Sequence, residues 1–458
     1  MTQHGLPDGI EEAIDPIDTT EFRGDTTDLS VVDDQVSEAS VVGLGEAAHG
    51  LRDCSTLKHR LFARLVTEHG FRLFGMETHL SEAIAINEYV VHGEGDVETA
   101  LETLKFWIWQ TEAVKSLIEW IRAFNEGRPL SDRIRFYGLD AQSTNAPVTE
   151  LTAFLEAVDP AFHEDVADTL EIARNVHQPH ATDDENQPHT TDDENQPHTT
   201  DDDTAVTDDV VRERVDTVET VVADLTDQFE THRAEYVDAT SERAYQLASR
   251  HLRVLEQATD LEAIDLEHGR GVEYSRTRDR YMAENLAWVR TFEERDRIAV
   301  WAADAHLRKG NDHRDGPSDG GPLGYHLDRR FGSEYCALAL EFGRGSVQTI
   351  DTGGDTAEFP VKEFRSPPTD TLLGALFDRF SEPCYLDLGA AGETDTARAW
   401  LDDAQPHSGA VLSYDPEMEV GLESDHLVDF TREFDGLFFV PEIDAAAPLP
   451  MVFARASE

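Results

Sequence analysis

Apolar residues in this chain fall into short runs, each followed by a helical stripe. Val41–Leu44 is a four-residue run that predicts a strand, with Gly45, Glu46 and His49 just beyond it. Leu57, Leu61 and Leu65, joined by Phe62 and Val66, mark one helical face that stops at Gly70. "FRLFGM" predicts a second strand, ending at Glu77. A helix opens at Ser81 and runs through "AIAINEYVV" to Gly93. "LKFWIWQTEAVKSLIEWIRAFN" reads as a further helix, with Trp107, Trp109 and Trp120 as core bulk. "IRFYGLD" predicts a third strand, ending at Asp140, and "RIAVWAADAH" a fourth, ending at Asp304 and His306. "YCALALEFG", ending near Glu341, "CYLDL" and "GLFFVPEI" predict three more. Short apolar strands alternating with helices predict an α/β fold, with a mostly parallel central sheet flanked by helices.

The organisation along the chain is uneven. Residues 1–36 are acidic, Thr-rich and weakly periodic, and are expected to form a loose leader. Residues 37–145 make the first half of the α/β domain, 293–350 the second half, and 351–458 a C-terminal α/β portion. Between them, 146–292 reads as a helical insertion or cap. Val211, Val215, Val218, Val222, Leu225 and Phe229 recur at alternating steps of four and three, one stripe on a long helix. Within this insertion lies "PHATDDENQPHTTDDENQPHTTDDDT", residues 179–204, a repeating nine-residue acidic unit that cannot bury a core.

Charge sets the expected surroundings. The chain has 94 acidic and 38 basic residues and a formal net charge of −56. Such a chain repels nucleic acid and anionic lipid. The acids are spread over the whole length, which suits a surface working in concentrated salt, where the screening length is about 3 Å at 1 M. A halophilic archaeal cytoplasm is the expected setting. Three widely spaced cysteines suggest neither a disulfide framework nor a cysteine zinc site. The N-terminal residues lack the pattern of a signal peptide, and no run approaches the roughly 20 apolar residues of a membrane span. A cytoplasmic protein acting on a small molecule, with its oligomeric state open, is the resulting expectation.

In a parallel sheet the C-terminal ends of the strands share one edge, where ligands of open α/β sheets bind. Glu46, His49, Glu77, Asp140, Asp304 and His306 therefore converge on one cleft. A carboxylate three residues from a histidine can orient the imidazole or a water. A histidine near its unperturbed pKa of about 6.5 suits proton abstraction. Asp140 and Asp304 stand as candidate substrate-binding residues. The plain alternative is a set of strand-to-helix turns whose polar groups satisfy backbone. "GLGEAA" also fits a dinucleotide fingerprint, but its glutamate would face a pyrophosphate and the following helix begins too late. Glu46, His49, Glu77 and His306 could instead ligate a divalent metal, as in a phosphatase-like hydrolase. No cofactor is otherwise implied, and no G-x-S-x-G elbow is present.

Several ordered blocks carry a family resemblance: "GLGEAAHG", "KHRLFARLVTEHGFRLFGMET", "INEYVVHG", "FWIWQTEAVKSLIEWIRAFN", "FYGLDAQ", "RTRDRYMAENLAWV", "WAADAHLRKG" and "LGYHLDRRFGSEYCALALEFGRGS". Together they resemble the erythromycin esterase family over residues 38–350. The resemblance implies a hydrolase that opens a macrolide lactone, an antibiotic-resistance activity, without a serine nucleophile. It implies that His49 is the general base, that Glu46 and Glu77 hold base and water, and that Arg52 and Arg278 match the family's arginines. Arg52 would stabilise an oxyanion or pair with Glu46 or Glu77, with His306 as the other donor. The sequence departs from the family's H-N-A-H block: Ala303, Asp304, Ala305 and His306 stand there. That departure puts a two-histidine arrangement, and the substrate, in question. A non-catalytic small-molecule-binding protein using the same cleft is the remaining alternative.

Overall fold

A computed structural model describes residues 6–174 except 8, 208–310, 320–350, 358–401 except 365, 405–406 and 427–455. The acidic repeat at 179–204 lies outside the described residues. Eleven strands are named among them: β1 (Ile14–Pro16), β2 (Val41–Leu44), β3 (Leu73–His79), β4 (Arg135–Asp140), β5 (Ile298–Trp301), β6 (Tyr335–Gln348), β7 (Val361–Phe364), β8 (Cys384–Asp387), β9 (Gln405–Pro406), β10 (Leu427–Val428) and β11 (Gly436–Ile443). The main sheet has the order β1-β8-β11-β6-β2-β5-β3-β4, with β7 on β6, and β9 and β10 form a separate pair. From β11 to β4 all neighbours are parallel. β1, β7 and β8 run antiparallel to their partners.

Alternation along the strands explains the two-layered core. Val42, Leu44, Phe74, Met76, Ala299, Trp301, Leu338 and Leu340 face one apolar layer. Val41, Leu73, Ile298, Val300, Ala337 and Ala339 face the other. A sheet buried on both faces needs near-continuous apolar strands, as these are. The helices Arg52–Glu68, Ile84–His92 and Glu112–Asn125 cover the first face. Thr111 caps the last of these by accepting the Val114 N–H, and Gly93, at φ 75°, ends the middle one in the left-handed region. The other face is covered by the helices Val272–Phe292, Leu323–Phe331 and Leu372–Arg379. Trp107–Trp109 form a single 3-10 turn, so the helix expected there starts only at Glu112. Among the described residues no helix is long and apolar enough to cross a membrane.

The region 146–292 is helical, and the stripe from Val215 to Phe229 packs with Leu151, Leu155, Leu170 and Leu255 into a core of its own. The final helix is shared. Met282, Leu286 and Val289 belong to the sheet's second layer, so Val272–Phe292 is both a wall of the sheet and an edge of the helical module.

The expected loose leader is corrected by the structure. Ile14–Pro16 pairs with β8, and Ile10, Ile17, Leu29, Val32 and Val36 are buried. The helix Arg52–Glu68 holds this segment in place. Phe22 stacks on His59 at 3.8 Å, Arg60 pairs with Asp28, and Arg64 Nε donates to Asp33 at 2.7 Å. Burial pushes the His59 ring down to about 3, so it is neutral in this contact.

Candidate active site

Four neighbouring parallel strands deliver the polar residues. In spatial order these are β2, β5, β3 and β4, and their C-terminal ends carry Glu46 and His49, then Asp304 and His306, then Glu77, then Asp140. The register of β3 against β4 shifts between Met76 and His79. The residue inserted there is a bulge, which re-aims the side chains around Glu77. Gly138 faces it, where a Cβ would lie 2.3 Å from the His79 carbonyl oxygen.

The first cluster surrounds Glu46, a 2% exposed carboxylate. Its Oε1 meets His49 Nδ1 at 2.6 Å and accepts the Trp301 indole N–H at 3.2 Å. Its Oε2 pairs with Lys58, which is fully buried and sits 3.8 Å over the Trp301 ring. Burial pushes the Glu46 carboxyl up. The Lys58 ammonium and the His49 ring more than offset that, leaving it below the ordinary carboxylate value. An ionised Glu46 assigns the proton to His49 Nδ1, and Nε2 then carries a lone pair. The ring is 11% exposed and meets the Trp109 edge at 5.1 Å.

Arg278 organises the second cluster. Its Nε and Nη2 donate to Asp140 Oδ2 at 3.0 and 2.7 Å, and Nη2 also donates to Glu77 Oε1 at 2.8 Å. His306 Nε2 lies 3.2 Å from the same Glu77 oxygen, and its Nδ1 lies 2.6 Å from Asp279 Oδ1. Glu77 Oε2 accepts the Ala303 N–H at 2.8 Å. Burial lowers the His306 ring and Asp279 and Glu77 raise it, with a net rise to about 10. His306 is thus held as an imidazolium between Asp279 and Glu77, not a base, while Arg278, whose Nη1 lies 3.1 Å from Nε2, opposes the rise. Burial raises the Glu77 carboxyl, but His306 and Arg278 hold it well below the ordinary range. Asp140 is likewise lowered: burial opposes, and Arg278 prevails. A proton taken up by His49 would be felt at Glu77, so the two clusters adjoin.

Several expected roles change. Arg52 is 45% exposed and pairs with Asp444 at 2.7 Å and Asp53 at 3.3 Å, outside both clusters. It is the first residue of its helix, and the cation on Glu46 is Lys58, six residues on. Asp140 is fully buried and anchors Arg278, and Asp304 is 4% exposed, so neither lines an open cleft as a substrate-binding residue. Arg278, at 15% exposure, remains accessible. Among the described residues no group of three or more histidine, cysteine, aspartate or glutamate side chains is placed to hold a metal ion. The donor set explains this. Lys58 and Trp301 take the oxygens of Glu46, while Arg278, His306 and the Ala303 amide take those of Glu77. Glu46, His49, Glu77 and His306 therefore do not fit a divalent cation, because two fixed protein cations already neutralise their carboxylates.

Lys58, Asp279, Trp109 and Trp301 were not singled out by their sequence positions as members of this site. A signal for Lys58 was present, since it is one of only five lysines and shares a helical face with Leu61, Phe62 and Leu65.

Residues 66–443 match the profile of the erythromycin esterase family. The chain is 23% identical over 347 residues to erythromycin esterase type II of Escherichia coli, covering 70% of this chain and 73% of that one. It is 22% identical over 389 residues to YbfO of Bacillus subtilis (strain 168), which bears a hydrolase name, covering 82% and 79%. A solved protein from Bacillus cereus superposes with a TM-score of 0.76 at 20% identity, covering 96% and 97%. An erythromycin esterase mutant in its open conformation superposes with a TM-score of 0.63 at 16% identity, covering 93% and 96%. At these identities the structural likeness is one of fold. The chain belongs to the erythromycin esterase family.

Proposed function

We propose that this member of the erythromycin esterase family hydrolyses an ester or lactone of a small molecule with a water activated by His49. The observation that carries the reading is the 2.6 Å contact between His49 Nδ1 and Glu46 Oε1. Glu46, fixed by Lys58 and Trp301, holds the ring in the tautomer whose Nε2 can accept a proton. In the proposed reaction, water loses a proton to Nε2 as its oxygen attacks the carbonyl carbon. The negative charge that develops on the carbonyl oxygen is met by the cationic pair Arg278 and His306. His49 then returns the proton to the departing alkoxide. Of the small residues in the loop, half-buried Ala47 leaves room for a substrate to approach, while Ala48 and Gly50 are buried, Gly50 against the Gln348 carbonyl. The macrolide class is proposed from the names of the relatives.

The test is a screen of macrolides and simple lactones in multimolar KCl, with and without EDTA, comparing wild type with His49→Ala. Loss of a general base costs roughly 10²–10⁴-fold in rate. A fall of that size in a folded variant, with no effect of EDTA, supports the reading. Undiminished hydrolysis by His49→Ala ends it. Tight binding without turnover would favour a sequestering protein.

A further inference from the structure

We propose that Asp304 is a positioning residue: its backbone and carboxyl bridge β5 and β6 across the end of β2 and set the placement of Glu46. This rests on the reading of Glu46 and His49 as the orienting acid and base. Asp304 follows β5, and its main-chain N–H donates to the Glu46 carbonyl at 2.8 Å. Its side-chain Oδ2 accepts the Leu340 N–H of β6 at 3.3 Å. Its Oδ1 lies against the residue before Glu46, where a Cβ at Gly45 would fall 1.7 Å away. On either side, the Gly45 N–H donates to the Leu338 carbonyl and the Ala47 N–H to the Leu340 carbonyl, both at 2.9 Å. One residue thus spans from β5 to β6 across the end of β2 and grips Glu46 by its backbone.

The surrounding charges explain why this carboxyl is neutral. Glu46 faces it from the loop after β2, Lys58 and Cys54 from the helix Arg52–Glu68, and Glu341 and Tyr335 from β6. Lys58 is the only cation among them, and it is paired with Glu46. Burial, and next the Glu341 charge, hold the Asp304 carboxyl well above its ordinary value. Oδ1 has no hydrogen-bond partner among the described residues, which a dry site tolerates far better in an acid than in a carboxylate. The sign follows. The folded state holds this proton more tightly than the unfolded chain, so rising pH works against the folded site. Ionisation would place a further negative charge beside Glu46 with no cation of its own among the groups named, and activity would decline on the alkaline side.

Two variants and two readouts test this. In multimolar KCl at neutral pH, infrared spectra of the folded protein should show a protonated carboxyl C=O stretch that Asp304→Asn removes. Asp304→Ala should lower kcat for lactone hydrolysis on the order of 10²-fold, since a small misplacement of a reacting group costs about that much, with KM little changed. Asp304→Asn, which keeps the acceptor, should rescue most of that loss and abolish the alkaline decline. Absence of a band that Asp304→Asn removes overturns the proposal. So does an Asp304→Ala protein whose kcat and pH profile match wild type. The infrared readout needs no substrate, so a protein that shows the band but turns over no lactone overturns the esterase reading alone. In that case the His49 ring nitrogen shifts decide the positioning, moved by Asp304→Ala and kept by Asp304→Asn; unmoved shifts overturn it.

Discussion

Replacing Lys58 by methionine isolates the charge behind the proposed base. The side chain is 0% exposed and its partner Glu46 2% exposed, so water reaches neither end of the pair. Methionine keeps the length and the apolar stem but leaves a buried carboxylate without its cation. Removing one member of a buried ion pair costs about 3–5 kcal/mol, a large share of the roughly 5–15 kcal/mol that holds a domain folded. The contact of the ammonium with the Trp301 face lies within that figure. In wild type the Glu46 carboxyl is lowered, so the pair stabilises the fold above the unfolded pKa and this is lost as pH falls through the folded one. In the variant burial dominates, and the same carboxyl moves up. The penalty should therefore be largest at neutral pH and shrink towards acid, as Glu46 takes up a proton. Denaturant unfolding in multimolar KCl across that range measures it. The double variant Lys58→Met with Glu46→Gln should recover much of the loss, since both charges are then gone. Equal stability of wild type and Lys58→Met at neutral pH, or a penalty that does not shrink in acid, would refute the assignment of a charged pair.

Two further predictions follow from the same geometry. His306, raised to about 10, should show two ring N–H signals by NMR at neutral pH, and the stability it supplies, fully present below about 6.5, should fade only as pH rises through about 10. Arg52→Ala should change stability by less than about 0.5 kcal/mol, because an exposed pair with Asp444 is worth little, and it should leave lactone hydrolysis near wild type.

The strand ends were legible because β strands terminate where apolar runs give way to polar residues. Glu46, His49, Glu77 and His306 could be placed on one sheet edge before any coordinates. Which groups touch was less legible, since that depends on helix phase. Arg52 and Lys58 lie on one helix six residues apart, and only Lys58 turns inward. The bulge in β3, which spans Glu77, likewise leaves no mark in the hydropathy pattern. Asp279 was hidden beside Arg278 within one charged block. The leader misled because its anchors, Ile10, Ile17, Leu29, Val32 and Val36, are spaced too irregularly to register as an element.

The strand carrying Glu46 and His49 lies between β5 and β6, which come some 250 and more residues later in the chain. At about 5–20 residues per second of synthesis, the gap amounts to a wait on the order of tens of seconds. Throughout that wait the nascent apolar strands lack both neighbours and are open to wrong ones.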